Sequence, residues 1–141
     1  MSSLPQRLQQ FYESFTTERE AALPRLTELF TEDVRFKDPF RDTQGMVAFR
    51  ELFERMFRQY RLVRFTDFAF QGDESAFVLT YDMHLRMSVG PTFVTHMVSV
   101  CRTRDGRVSE LTDYYDFTSA LASPLPFLEA LYRKTVNALF L

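Results

Sequence analysis

The sequence predicts an α+β fold: a cone of three N-terminal-half helices packed in a strongly curved, mainly antiparallel sheet, with one extra helix at the C-terminus. Three observations carry this reading. Apolar residues recur at helical spacing along much of residues 4–60 and again after residue 124. From residue 62 to about 117 the period changes to two, and Gly72-Asp73, Gly90-Pro91 and Asp105-Gly106 break that region into strands joined by tight turns. The chain has 141 residues, enough for one sizeable core and short for two, so 1–141 reads as a single domain with 124–141 as the added helix.

The elements follow in order. Leu4, Leu8, Phe11, Tyr12 and Phe15 make the first helical stripe, with Pro5 tolerated in its opening turn. Leu23, Leu26, Leu29 and Phe30 make a second, which Pro24 enters and Thr31-Glu32-Asp33 closes. The longest stripe is Met46, Phe49, Leu52, Phe53, Met56, Phe57 and Tyr60, with Glu51 spaced to pair with Arg55 and Glu54 with Arg58 on the wet side. Residues 62–71 form a strand whose apolar side switches near Thr66-Asp67, the mark of a bulge. In the next strand, over residues 75–87, the odd positions Phe77, Leu79, Tyr81, Met83, Leu85 and Met87 face inward. Residues 92–104 return with Phe93, Met97, Ser99 and Cys101 on one face and Val94, His96, Val98 and Val100 on the other. A turn centred on Gly90 would set Met83 against Met97 and His84 against His96. The last strand, about 108–117, points Ser109, Leu111, Asp113, Tyr115 and Phe117 inward. The final helix carries Leu128, Leu131, Tyr132, Val136, Leu139 and Phe140 as a stripe expected to dock on the body.

Composition narrows the function classes. Aromatic residues make up 16% of the chain, 16 of them Phe and none Trp, so the interior is bulky or lines something hollow. Net charge is -2 with scattered basic residues, which argues against a nucleic-acid surface. The single cysteine, Cys101, forms no internal disulfide and reads as a small core residue. No charged-then-apolar leader and no apolar run long enough for a membrane span is present, so a cytoplasmic protein without membrane attachment is expected. His84 and His96 stand outside any metal-ligand spacing, and neither a metal nor another cofactor is predicted. They share the face of Val94, Val98 and Val100, an apolar outer face that predicts a homodimer built on the sheet.

The stretch 30–45 organises the rest. Val34, Phe36 and Asp38 share one strand face, Arg35 and Lys37 the other, and Pro39 ends the pairing. Asp38 thus points where Val34 and Phe36 point, toward the apolar side, where a carboxylate is costly without partners. Two roles fit: a cap for the turn that Asp-Pro opens, or a general base in a pocket.

Leu29-Phe30-Thr31-Glu32-Asp33-Val34, Asp38-Pro39, Gly45 before the third helix, Asp105-Gly106-Arg107-Val108 and Asp113-Tyr114-Tyr115-Asp116, in this order, resemble the nuclear transport factor 2-like superfamily in its SnoaL-like branch. The resemblance covers roughly residues 4–118 and leaves the final helix outside. It implies a conical domain with a ligand cavity between helices and sheet, usually dimeric, in a superfamily of isomerases, cyclases, epoxide hydrolases and non-catalytic binders. Asp38 is similar in position to the proton-shuttling base of ketosteroid isomerase, and Tyr12 to that enzyme's first-helix tyrosine. Ser99 stands where its late-strand acid belongs, a departure from the pattern, while Asp113 and Tyr115 fall on a strand position that lines the superfamily's cavity. The candidate catalytic residues are therefore Asp38, Asp113 and Tyr12. The candidate ligand-binding residues are Tyr115, Tyr81, Ser99, Met83, Met97, Leu111 and Phe36. The expected partner is a small apolar or amphipathic molecule, and an enzyme, a binding module and a dimerising accessory protein all remain open.

Overall fold

The computed structural model describes residues 2–140; Met1 and Leu141, the outer bounds of the expected domain and of its added helix, lie outside them. Helix α1 (Leu4–Glu13) starts where Ser3 accepts the Gln6 N–H and the Gln6 side chain accepts the Ser3 N–H, a reciprocal cap that satisfies two free donors. The Glu74 carboxylate accepts the Leu4 N–H at 3.0 Å and so ties this end to a distant turn. The short helix α2 (Phe15–Glu18) and a 3₁₀ segment, Arg19–Arg25, follow, then one turn of helix, α3 (Leu26–Leu29). The second stripe is thus a 3₁₀ coil with Pro24 inside it rather than one α-helix, since Pro24 offers no N–H to an α-helical ladder.

Strand β1 (Phe30–Lys37) leads to a short strand, β2 (Asp42–Gln44), which occupies the predicted polar turn. Helix α4 (Met46–Gln59) lies across the concave side of the sheet. Its C-terminal carbonyls are satisfied by Arg19, whose guanidinium donates to the oxygens of Phe57, Tyr60 and Arg61 at 2.7–2.9 Å and lies over the Phe57 ring. Four long strands complete the sheet: β3 (Leu62–Gly72), β4 (Ala76–Arg86), β5 (Thr92–Arg104) and β6 (Arg107–Tyr114). The strand order is β2-β1-β6-β5-β4-β3, antiparallel except for the parallel pair of β1 and β6.

Two irregularities shape the curve. At Thr66–Ala69 the β3–β4 register shifts, with Asp67 at φ 60, so Phe65 and Phe68 both turn toward the core. Between Arg102 and Thr103 the β5–β6 register shifts by one, which brings Ser99 opposite Asp113. The β4–β5 register corrects the expected one: Met97 faces Tyr81, Met83 faces Thr95, and His96 faces Asp82 rather than His84. The turn spans Met87–Pro91 and is centred one residue before Gly90, a displacement of two that keeps the odd face inside. Strand β6 also ends three residues early. Asp116 accepts the Ser119 N–H and starts helix α5 (Phe117–Ala122), which takes Phe117 off the strand.

The core is an aromatic stack between α1, α4 and the sheet, with Phe11, Phe15, Phe30 and Phe49 fully buried. Phe15 sits edge-on to Phe53, Phe57 and Phe65 at 5.1–5.5 Å between centroids. The last helix, α6 (Pro126–Phe140), contributes no buried residue and packs mainly on α5, so the expected docking of its stripe on the body is not met within one chain. No helix among the described residues is long and apolar enough to cross a membrane.

Candidate active site

The sheet curls around α1 and α4 and leaves a cavity of about 450 Å³ that opens beside α5. Asp38, Asp113, Tyr12, Tyr115, Tyr81, Met83, Met97, Leu111 and Phe36 all line it. Ser99 is the exception among the candidates: it is completely buried behind the wall and can reach a ligand only through its neighbours. Thr95, Phe93 and Phe53 line the cavity without having been singled out in the sequence, although Phe93 and Phe53 belong to faces predicted to be inward.

Asp38 follows the end of β1, and its side chain is only 4% exposed. Its Oδ1 accepts the Phe40 N–H at 2.8 Å, its N–H donates to the Arg41 carbonyl at 3.0 Å, and the Arg41 guanidinium stands 3.5 Å from Oδ2. The carboxyl that caps the turn thus also faces the cavity. The parallel pairing of Phe36 with Leu111 and Lys37 with Thr112 carries Asp38 to the side of Asp113.

Asp113 is the innermost acid. Ser99 donates to its Oδ1 at 2.5 Å, and the Tyr81 hydroxyl lies 3.1 Å from Ser99 Oγ, so a chain of hydrogen bonds runs from Tyr81 through Ser99 to the carboxyl. Burial pushes Asp113 up to about 7; the Ser99 hydrogen bond opposes the rise and the charge of Asp38 adds to it. Burial likewise raises Tyr12 and Tyr81 well above the usual phenol, and nearby Asp113 adds to both. The Tyr12 hydroxyl has no hydrogen-bond partner among the described residues, while its ring packs 5.6 Å from that of Tyr81. Tyr115 is raised by burial and by Asp38, with Arg41 opposing.

This arrangement brings Asp38, an inner carboxyl, Asp113, that titrates near neutrality, and an unengaged phenol into one cavity with apolar surroundings. Cys101 takes no part, since it is buried and its thiol is pushed up by burial. His84 and His96 lie outside the cavity: His84 contacts the Thr66 hydroxyl at 3.0 Å and His96 the Asp82 carboxylate at 2.5 Å. No group of three potential metal ligands occurs among the described residues.

A family model described as SnoaL-like domain matches residues 8–111. Among solved structures, a protein with a ketosteroid isomerase-like fold from Catenulispora acidiphila, in complex with trimethylamine, is 19% identical, with 87% of this chain and 94% of that chain covered at a TM-score of 0.71. An LEH-like epoxide hydrolase of M. tuberculosis is 18% identical over 93% of this chain and 96% of that one, with a TM-score of 0.68. An NTF2-like protein from Burkholderia pseudomallei is 19% identical over 89% and 98%, with a TM-score of 0.71. At these identities the likeness is one of fold. A search of curated proteins finds no match.

Proposed function

Since the chain belongs to the SnoaL-like domain family, we propose that it binds a small, mostly apolar, oxygen-bearing molecule in the cavity and moves a proton on it, with Asp38 as the base. The observation that carries this reading is Asp113, a buried carboxyl pushed up to about 7 that shares an apolar cavity with Asp38. Two carboxyl groups whose surroundings differ divide into an acid and a base near neutral pH. On a β,γ-unsaturated ketone, Asp38 takes a proton from the carbon between the carbonyl and the double bond; the C–H electron pair becomes a new C=C bond and the carbonyl π pair moves onto oxygen, giving a dienolate. Protonated Asp113 and the free hydroxyl of Tyr12 donate to that oxygen. Return of the proton from Asp38 to the γ-carbon re-forms the carbonyl and leaves the conjugated ketone, an isomerisation with no net change in atoms.

The departure from the ketosteroid isomerase pattern is bridged by the ladder. The resemblance puts Ser99 where the isomerase's acid belongs, and Asp113 is the hydrogen-bonded partner of Ser99 on the next strand. A hydrolytic variant is less well supported, because the guanidiniums of Arg41 and Arg55 that line the cavity are half-exposed rather than set beside the inner acid. A non-catalytic binder is the second reading, favoured by one observation: Asp38 already holds the Phe40 N–H. The trimethylamine complex of the Catenulispora protein supports small-molecule binding by this fold in either case.

The test is exchange of the α-protons of 2-tetralone in D₂O, followed by ¹H NMR, together with native mass spectrometry of freshly purified protein for a retained small molecule. Exchange at least tenfold above buffer, abolished in Asp38→Asn, is expected. A retained or titrated ligand with exchange no faster than buffer would leave the binding reading in its place.

A further inference from the structure

Helix α6 presents an apolar arc to solvent. Phe127 and Leu139 are 77% and 71% exposed, and Leu128 and Leu131 on the same arc are also exposed. Tyr132 and Val136 form the half-buried edge of the arc, and Arg133, Lys134 and Asn137 make the opposite, polar side. The helix cannot be treated as a loose tail. Its start is hydrogen-bonded through Leu125 and Glu129, and Tyr132 donates to Asp116 at the start of α5. Nevertheless, none of its residues lines the cavity of its own chain.

The cavity has the complementary deficit. Its rim carries Phe40, Phe117, Leu121 and Met87, all exposed, with Phe40 and Phe117 stacked edge-on at 5.0 Å. At ~200 Å² for a large side chain, the arc bares on the order of 500 Å² of apolar surface and the rim about 400 Å². A soluble monomer seldom exposes that much, and the two areas together exceed the ~800 Å² per partner of a standard protein interface.

We propose that the chain pairs with a second copy of itself, and that α6 of each copy lies across the cavity mouth of the other. The exchange is reciprocal, so a twofold pair covers two helices and two rims at once. The second copy then supplies the missing wall of the site and excludes water from it. That functional consequence rests on the cavity being the ligand site, whereas the pairing does not, and the experiment needs no ligand.

Sedimentation velocity of the full chain at micromolar concentration should give a dimer, and Leu131→Glu should give a monomer with an unchanged circular dichroism spectrum, since Leu131 contacts little in the single chain. Leu121→Cys and Leu131→Cys variants, mixed and mildly oxidised, should form a covalent dimer that neither forms alone; Cys101 is buried and does not interfere. A monomeric wild type overturns the proposal. So does a dimer that survives Leu131→Glu but is broken by Val100→Glu on the outer face of the sheet. Equal cross-linking of Leu131→Cys with itself would replace the mouth by a helix–helix contact, and a cross-link confined to one chain in the double variant would make α6 its own lid.

Discussion

Replacing Asp113 by Asn should stabilise the protein, and by an amount that depends on pH. In the folded chain the carboxyl titrates at about 7 instead of its usual 3.8. The folded state therefore holds the proton more tightly than the unfolded one. The stability this allows is complete below about pH 4 and is lost as pH rises toward 7. The interval corresponds to about 4 kcal/mol of free energy that the wild type forgoes at pH 8. Asn remains neutral throughout, and its side-chain oxygen still accepts the hydrogen bond that Ser99 gives to Asp113. Asp113→Asn and wild type should thus unfold nearly together at pH 4, and differ by a gap that widens through pH 5 to about 4 kcal/mol at pH 8. In a domain of this size the last figure is a rise of roughly 10 °C in Tm. Urea and thermal unfolding at the three pH values measure it. A difference that does not change with pH, or a variant weaker than wild type at pH 8, would refute the assignment of Asp113 as the carboxyl kept neutral by its surroundings.

Three further outcomes are expected. Asp38→Asn should keep Tm within about 1 °C of wild type, because the amide oxygen can still accept the Phe40 N–H, while abolishing 2-tetralone exchange; a large Tm loss with exchange intact would leave Asp38 as a turn residue only. Tyr12→Phe should leave stability unchanged or slightly higher, since the hydroxyl has no partner among the described residues, but should slow exchange by 10- to 100-fold on the scale of one lost oxyanion donor. Arg19→Ala should cost about 2–3 kcal/mol in urea unfolding, because it strips three carbonyls at the end of α4 of their donor and uncovers Phe57.

Much of the fold was legible because the periods were clean. The stripe from Met46 to Tyr60 is α4, and the odd positions of residues 77–85 are the inner face of β4. Residues such as Met83 and Met97 could be placed inside for the same reason, without knowledge of what they face. Registers were less legible, because a period of two survives any even displacement. Gly90 is the conspicuous turn residue, yet the turn is centred on Val89, so the pairing moved by two with every face preserved. The link from Ser99 to Asp113 was hidden more deeply. A straight ladder from the Asp105-Gly106 turn would set Ser99 opposite Thr112, and only the shift near Thr103 brings Asp113 alongside. Helix α5 carried a readable signal, Asp116 followed three residues later by Ser119, but the strand alternation ran through it to Phe117. The exposed stripe of α6 is plain in the sequence; what covers it is a property of more than one chain.

The parallel contact between β1 and β6 also governs the order in which the molecule is made. Strands β3, β4 and β5 pair with immediate neighbours and can form as soon as they leave the ribosome, whereas β1 ends at Lys37 and waits for β6, which begins at Arg107. Until then the edge of β1 is bare, and Asp38 has no Asp113 beside it. The cavity is thus completed by the strand pairing of greatest sequence separation. A molecule that bound the cavity as proposed should therefore draw refolding chains to completion by mass action, raising the yield of native protein as well as its resistance to heat.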